Sequence, residues 1–143
     1  MSETTGTEEI TSEQKQAARD AFKKVPYLKL IGMELVDLKS GEAILRLQMR
    51  DELRQPHGLL HGGATASIID TAMAFAVITK LAENEKASTV DLTVHYLRPV
   101  TTGAIVCTAK VVKAGKRLLT VSAEVVNDEE KLIATALSTY TKI

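Results

Sequence analysis

Gln55-Pro56-His57-Gly58-Leu59-Leu60-His61-Gly62-Gly63-Ala64-Thr65-Ala66-Ser67-Ile68-Ile69-Asp70 is the stretch whose reading decides the fold. As far as Leu60 it reads as the end of an irregular loop. Downstream of Gly63, apolar residues recur at Ala64, Ile68, Ile69, Ala72, Met73, Ala76, Val77 and Leu81, which is helical spacing with small or apolar residues on nearly every face. A helix of that kind has to be buried. Gly62 and Gly63 at its start leave backbone N–H groups uncovered. The first N–H groups of a helix have no internal partner and lie at the positive end of its dipole, a ready place for a developing oxyanion. About two turns on, Asp70 falls among Ala66, Ser67, Met73, Ala74 and Val77, where an ionised carboxylate is costly unless it is paired or employed.

Outward from this helix the periodicity changes. On the N-terminal side, Ser2 to Thr11 offers nothing to bury, so residues 1–10 read as a disordered polar tail and 11–143 as a single domain. Thr11 or Ser12 can cap a helix running to Lys24, ended by Pro26. From Leu30 the pattern alternates: Met33 to Leu38 as one strand, a turn at Ser40-Gly41, and Ala43, Leu45, Leu47 and Met49 as one face of the next. Beyond the buried helix, Val90, Leu92, Val94 and Tyr96 alternate with Asp91, Thr93 and His95 until Pro99. Three more strands follow, through Ile105 to Val111, Leu119 to Val125 and Leu132 to Tyr140. Short connections imply antiparallel neighbours. A sheet of about six strands with one apolar face satisfies both itself and the Ala-rich helix by wrapping around it, so the expected class is α+β with one central helix and an extra N-terminal one.

Composition narrows the function. The 143 residues carry 18 basic and 18 acidic side chains, a balance that demands no nucleic-acid partner. One cysteine, Cys107, permits no internal disulfide and reads as a core residue of a cytoplasmic protein. A zinc site would need more ligands, and no apolar run is long enough to span a membrane. Met1 to Ile10 is the reverse of a signal peptide. No Gly-x-Ser-x-Gly, phosphate loop, dinucleotide fingerprint or His-Glu-x-x-His appears.

The run His61-Gly62-Gly63 followed by Asp70, with Val90-Asp91-Leu92-Thr93-Val94-His95-Tyr96-Leu97-Arg98-Pro99 after it, resembles the two signatures of hotdog-fold acyl-CoA thioesterases of the phenylacetate-pathway, PaaI-like, type. The resemblance covers roughly Leu28 to the C-terminus. It implies the hotdog fold, hydrolysis of acyl-CoA to free CoA and a carboxylic acid without metal or redox cofactor, and a homodimer or homotetramer. Gln55, Asp70 and Thr89 match the family's polar positions. The resemblance further implies that the helix acid works across a dimer with the glycine of the other subunit.

Each candidate has a plainer reading. Gly62 and Gly63 could serve only a sharp turn or close packing; the resemblance makes Gly62 the oxyanion donor, with Gly63 beside it at the substrate. Asp70 could be a buried acid satisfied by Ser67 or Thr71; as a catalyst it activates a water or attacks the thioester carbon, and residue types leave both open. Gln55 would hold the water or support the carbonyl, and Thr89 would hydrogen-bond the same water; otherwise they are an ordinary loop amide and a β-branched strand residue. The resemblance gives His61 a loop-anchoring role, while His57 has none in the signature and His95 reads as a surface or interface residue. Arg98, Lys116 and Arg117 could reach the phosphates of CoA, although solvated turns carry such cations routinely. Met73, Val77 or Leu59 could close an acyl pocket of either aryl or alkyl shape.

Two rivals stand beside hydrolysis. A hotdog dehydratase acting on 3-hydroxyacyl thioesters would use a loop histidine and a helix acid, and His57 with Asp70 is spaced somewhat like that pair. Against it, Gly62-Gly63 and Asp70 follow the thioesterase pattern. The other rival is a protein that holds acyl-CoA without turnover.

Overall fold

The computed structural model describes residues 9–143, so most of the expected N-terminal tail lies outside the described residues. Helix α1, Ser12–Lys23, is opened by a reciprocal cap: Thr11 Oγ1 accepts from the Gln14 N–H, and Gln14 Oε1 accepts from the Thr11 N–H. Pro26 does stop α1, but it also starts a second helix that the sequence pattern did not reveal, α2, Pro26–Ile31. Proline suits the first position of a helix, where its missing N–H would have had no partner. Gly32 closes α2 in the left-handed region at φ 89°. Leu30 therefore stands exposed on α2 rather than opening an extended segment.

Six strands follow, in two groups separated by the long helix α3, Gly62–Ile78: β1, Met33–Lys39; β2, Glu42–Gln48; then β3, Ala87–Tyr96; β4, Ala104–Ala114; β5, Leu118–Asn127; and β6, Leu132–Lys142. They form one antiparallel sheet in the order β1-β2-β4-β5-β6-β3. The crossover comes from α3: the chain leaves β2 near one edge, runs along the sheet's concave face as a helix, and returns as β3 at the far edge. This is the six-stranded α+β wrap expected above.

Alternation along β2, β4, β5 and β6 sends Ala43, Leu45, Leu47, Cys107, Ala109, Val121, Val125 and Ala134 inward to near-complete burial. They meet Ile68, Ile69, Ala72, Met73 and Ala76 of α3, all of them fully buried. Truncating one such large side chain to Ala costs about 2–5 kcal/mol, so this contact fixes where α3 lies on the sheet. Cys107 belongs to the same core, and burial pushes its thiol up to about 12, which leaves it a small inert hydrophobe. Among the described residues no helix is long and apolar enough to cross a membrane.

Candidate active site

Gly62 and Gly63, alike in the sequence, are set apart by the geometry. His61 is the N-cap of α3 and its Nδ1 accepts a hydrogen bond from the Gly63 N–H at 2.7 Å, which puts the neutral imidazole's own proton on Nε2. The Gly63 amide is thereby occupied. A Cβ on Gly63 would stand 2.9 Å from that Nδ1, so glycine here allows the cap to close. Gly62, the first residue of α3, has an N–H that meets no acceptor among the described residues. Its carbonyl accepts from Tyr96 Oη at 2.8 Å, and a Cβ on it would only touch the Tyr96 ring, at 3.4 Å.

Gly62 lines a cleft of about 350 Å³ together with Gln55, Leu59, Tyr96 and Arg98, among others. The loop that brings Gln55 there is braced from beneath. Arg54 donates to the carbonyls of Gly58 at 2.6 Å and Thr101 at 2.8 Å, and backbone bonds tie Leu60 to Val100 and His61 to Leu53. Gln55 turns its Oε1 back onto the His57 N–H, and its NH2 has no partner among the described residues. Gly58 takes φ 82° and closes the turn, its N–H donating to the Gln55 carbonyl at 3.0 Å.

Asp70 lies two turns further along α3, half-buried, and its partners are not the helix hydroxyls that the sequence suggested. Ser67 Oγ donates to the Gly63 carbonyl and Thr71 Oγ1 to the Ser67 carbonyl. Asp70 Oδ1 instead accepts from Thr89 Oγ1 at 3.1 Å and from Tyr140 Oη at 3.1 Å. Thr89 reaches it because of a bulge in β3. Thr89, Leu92, Val94 and Tyr96 pair with Tyr140, Ser138, Ala136 and Ala134, all inward on β6, while Val90 is left over between them. Strict alternation would have placed Val90 on the inner face and Thr89 outside; the extra residue reverses their roles, and Val90 is 57% exposed. Bulges re-aim side chains in this way beside functional sites. Tyr140 was missed because it reads as one more core position of β6, although a buried phenol always raises the question of its hydrogen-bond partner.

Among the remaining candidates, Arg98 is exposed at the cleft beside Gly62, whereas Lys116 and Arg117 are exposed on the β4–β5 turn, which borders the end of β6 that carries Tyr140. His57 and His95 are exposed. Met73 is fully buried in the core and Leu59 lies on the cleft. Among the described residues no three His, Cys, Asp or Glu stand together as metal ligands.

One chain does not bring Gly62 and Asp70 together. Eight residues apart on one helix, at about 1.5 Å per residue, they are separated by roughly 12 Å along its axis, whereas a reacting carbon must sit about 3 Å from both an oxyanion donor and a base or nucleophile. Among the described residues the strand that carries Thr89 is also a sheet edge without an outer neighbour, and Val90 and Tyr96 on it and Leu97 just past its end are all more than half exposed.

Residues 57–134 match the thioesterase superfamily. The acyl-coenzyme A thioesterase PaaI of Escherichia coli is 29% identical over 121 residues, covering 83% of this chain and 84% of its own length; the solved E. coli PaaI structure superposes with TM-score 0.83, covering 90% of this chain and 91% of that one at 25% identity. The medium/long-chain acyl-CoA thioesterase YigI of E. coli is 28% identical over 131 residues, 81% of this chain and 84% of its own. A conserved protein of Pseudomonas aeruginosa superposes with TM-score 0.80 at 34% identity, covering 83% of this chain and 94% of that one.

Proposed function

Since this chain belongs to the thioesterase superfamily, with the hotdog fold of its PaaI-like members, we propose that it hydrolyses acyl-CoA thioesters in a site shared by two copies of itself. The Gly62 N–H of one subunit polarises the thioester carbonyl and holds the oxyanion at the positive end of α3. Asp70 of the partner subunit takes a proton from the attacking water, or itself attacks the carbon and is released by water afterwards. The tetrahedral intermediate collapses with loss of the CoA thiolate, which leaves as the thiol. Gln55, on the same cleft as Gly62, supports the carbonyl or the water, and Arg98 with Lys116 and Arg117 supplies cations for the CoA phosphates.

The observation that carries this reading is the division of labour along α3: an unoccupied amide at its first residue, and a carboxylate held by two hydroxyl donors two turns later, too far apart to serve one carbon. The exposed edge of β3 supports a second copy as the source of the missing group. The test is release of free thiol from a panel of aryl and alkyl acyl-CoAs, with enoyl-CoA absorbance followed in parallel on a 3-hydroxyacyl-CoA. Thiol release supports hydrolysis; enoyl-CoA formation would indicate a dehydratase, and tight binding without either product a carrier.

A further inference from the structure

Tyr140 has no place in the motifs that mark this site, yet its hydroxyl lies 3.1 Å from Asp70 Oδ1 and 3.1 Å from the Asp70 backbone carbonyl. The ring is 2% exposed, held by β5 and β6 beneath α3. A phenol has one proton to give, and of the two acceptors the carboxylate is the stronger. Thr89 Oγ1 approaches the same oxygen at 3.1 Å. Oδ1 is therefore served twice. Among the described residues no hydrogen bond reaches Oδ2, and no buried side-chain oxygen or nitrogen lacks a partner, so Oδ2 is not fully enclosed.

Building on the reading of Asp70 as the working acid, we propose that Tyr140 is a positioning residue for the hydrolysis: with Thr89 it ties down Oδ1 and leaves Oδ2 as the one oxygen that meets the water or the thioester carbon. A carboxylate on a helix swings about two side-chain torsions, and two donors from different strands, β3 and β6, fix both its place and its plane. Displacement of a reacting group by about 1 Å can cost on the order of 100-fold in rate, so holding the far oxygen still affects the near one. Tyr140 is suited to this as a donor that stays a donor. Burial pushes its phenol up, by more than the Thr89 hydroxyl draws it down, and the negative charge of Asp70 adds to the rise. The phenol therefore keeps its proton on Oη well above neutral pH.

The test compares Tyr140→Phe, Thr89→Val, Thr89→Ser and the Tyr140→Phe/Thr89→Val double variant with wild type, using Asp70→Asn as reference. Phe keeps the buried ring and Val keeps the branched strand residue, so each removes a donor and little else. Each loss should lower kcat by about tenfold with KM within twofold, and Ser at position 89 should restore most of the rate. Because both donors hold one oxygen, the double variant should lose more than the product of the two single losses. An inactive Asp70→Asn beside a Tyr140→Phe enzyme with kcat within twofold of wild type overturns the positioning role alone. So does a loss confined to KM, a loss matched by a fall in folded protein, or two losses that simply multiply. Should Asp70→Asn keep its activity, the assignment of the acid falls, and this proposal with it. If Tyr140→Phe does not fold, the contrast between Thr89→Val and Thr89→Ser decides whether Oδ1 must be held.

Discussion

Gly62→Pro separates the chemistry of the helix start from its architecture, because proline removes the one atom the mechanism requires and little that the fold requires. Gly62 is the first residue of α3, where the N–H has no helical partner and proline is favoured. The preceding residue, His61, already has the extended backbone that a following proline imposes, at φ −62° and ψ 131°. A Cβ at position 62 would make ordinary contact with the Tyr96 ring at 3.4 Å. The fold should therefore tolerate the change, and the less flexible unfolded chain adds about 0.4–1 kcal/mol of stability. The catalytic loss should be large. Removing one oxyanion donor costs about 100- to 1,000-fold in kcat, or about 2.7–4 kcal/mol. Thiol release from an acyl-CoA, measured beside a thermal melt, reads both quantities. A variant that melts at or slightly above wild type and has lost at least about 100-fold in kcat fits the account; a folded variant within a few-fold of wild type would refute the Gly62 N–H as oxyanion donor.

Asp70→Asn should keep the fold, since the amide oxygen can still accept from Thr89 and Tyr140, while turnover falls by about 100-fold or more; near-normal activity would mean that another group is the acid. Gly63→Ala should behave in the opposite way to Gly62→Pro. Its Cβ would crowd His61 Nδ1 at 2.9 Å, so a melt should report the loss of the cap, about 0.5–2 kcal/mol, with a smaller effect on kcat than Gly62→Pro has. Cys107 makes a prediction about alkaline pH. Its thiol is raised from 9.0 to about 12 in the folded protein, so below pH 9 it is neutral in both states and contributes no pH dependence. Above pH 9 the unfolded chain ionises first, and stability falls by about 1.4 kcal/mol per pH unit up to about pH 12. Urea melts at pH 8 and pH 10 should show Cys107→Ala losing that much less than wild type over the alkaline interval.

Much of the fold was legible because burial leaves a period in the sequence. The Ala-rich run after Gly63 reads as a helix apolar on nearly every side, and the alternation along β2, β4, β5 and β6 identifies the face that receives it. Helix α2 was hidden because Pro26 carries two opposite meanings, a stop for the helix before it and a start for the one after. The bulge at Val90 was hidden for a related reason. A single extra residue leaves the apolar letters in place while moving them to the other face, and only the pairing with β6 reveals that Thr89 looks inward. In the site, Gly62, Asp70, Gln55 and Thr89 were nameable from the motifs, but the unequal roles of the two glycines depend on where the His61 side chain turns. Tyr140 lies 70 residues from Asp70 in the chain, and no local pattern links them.

The central claim, one site built from two chains, is tested most directly by mixing two inactive enzymes. Asp70→Asn and Gly62→Pro homodimers each lack one group in both of their sites. In a hybrid dimer one site receives both defects and the other receives both intact groups. With random pairing about half the dimers are hybrids, so co-folding equal amounts should return roughly a quarter of the wild-type activity. If hybrid dimers are demonstrated by mass and the mixture stays as inactive as its parents, Gly62 and Asp70 do not meet across a subunit boundary.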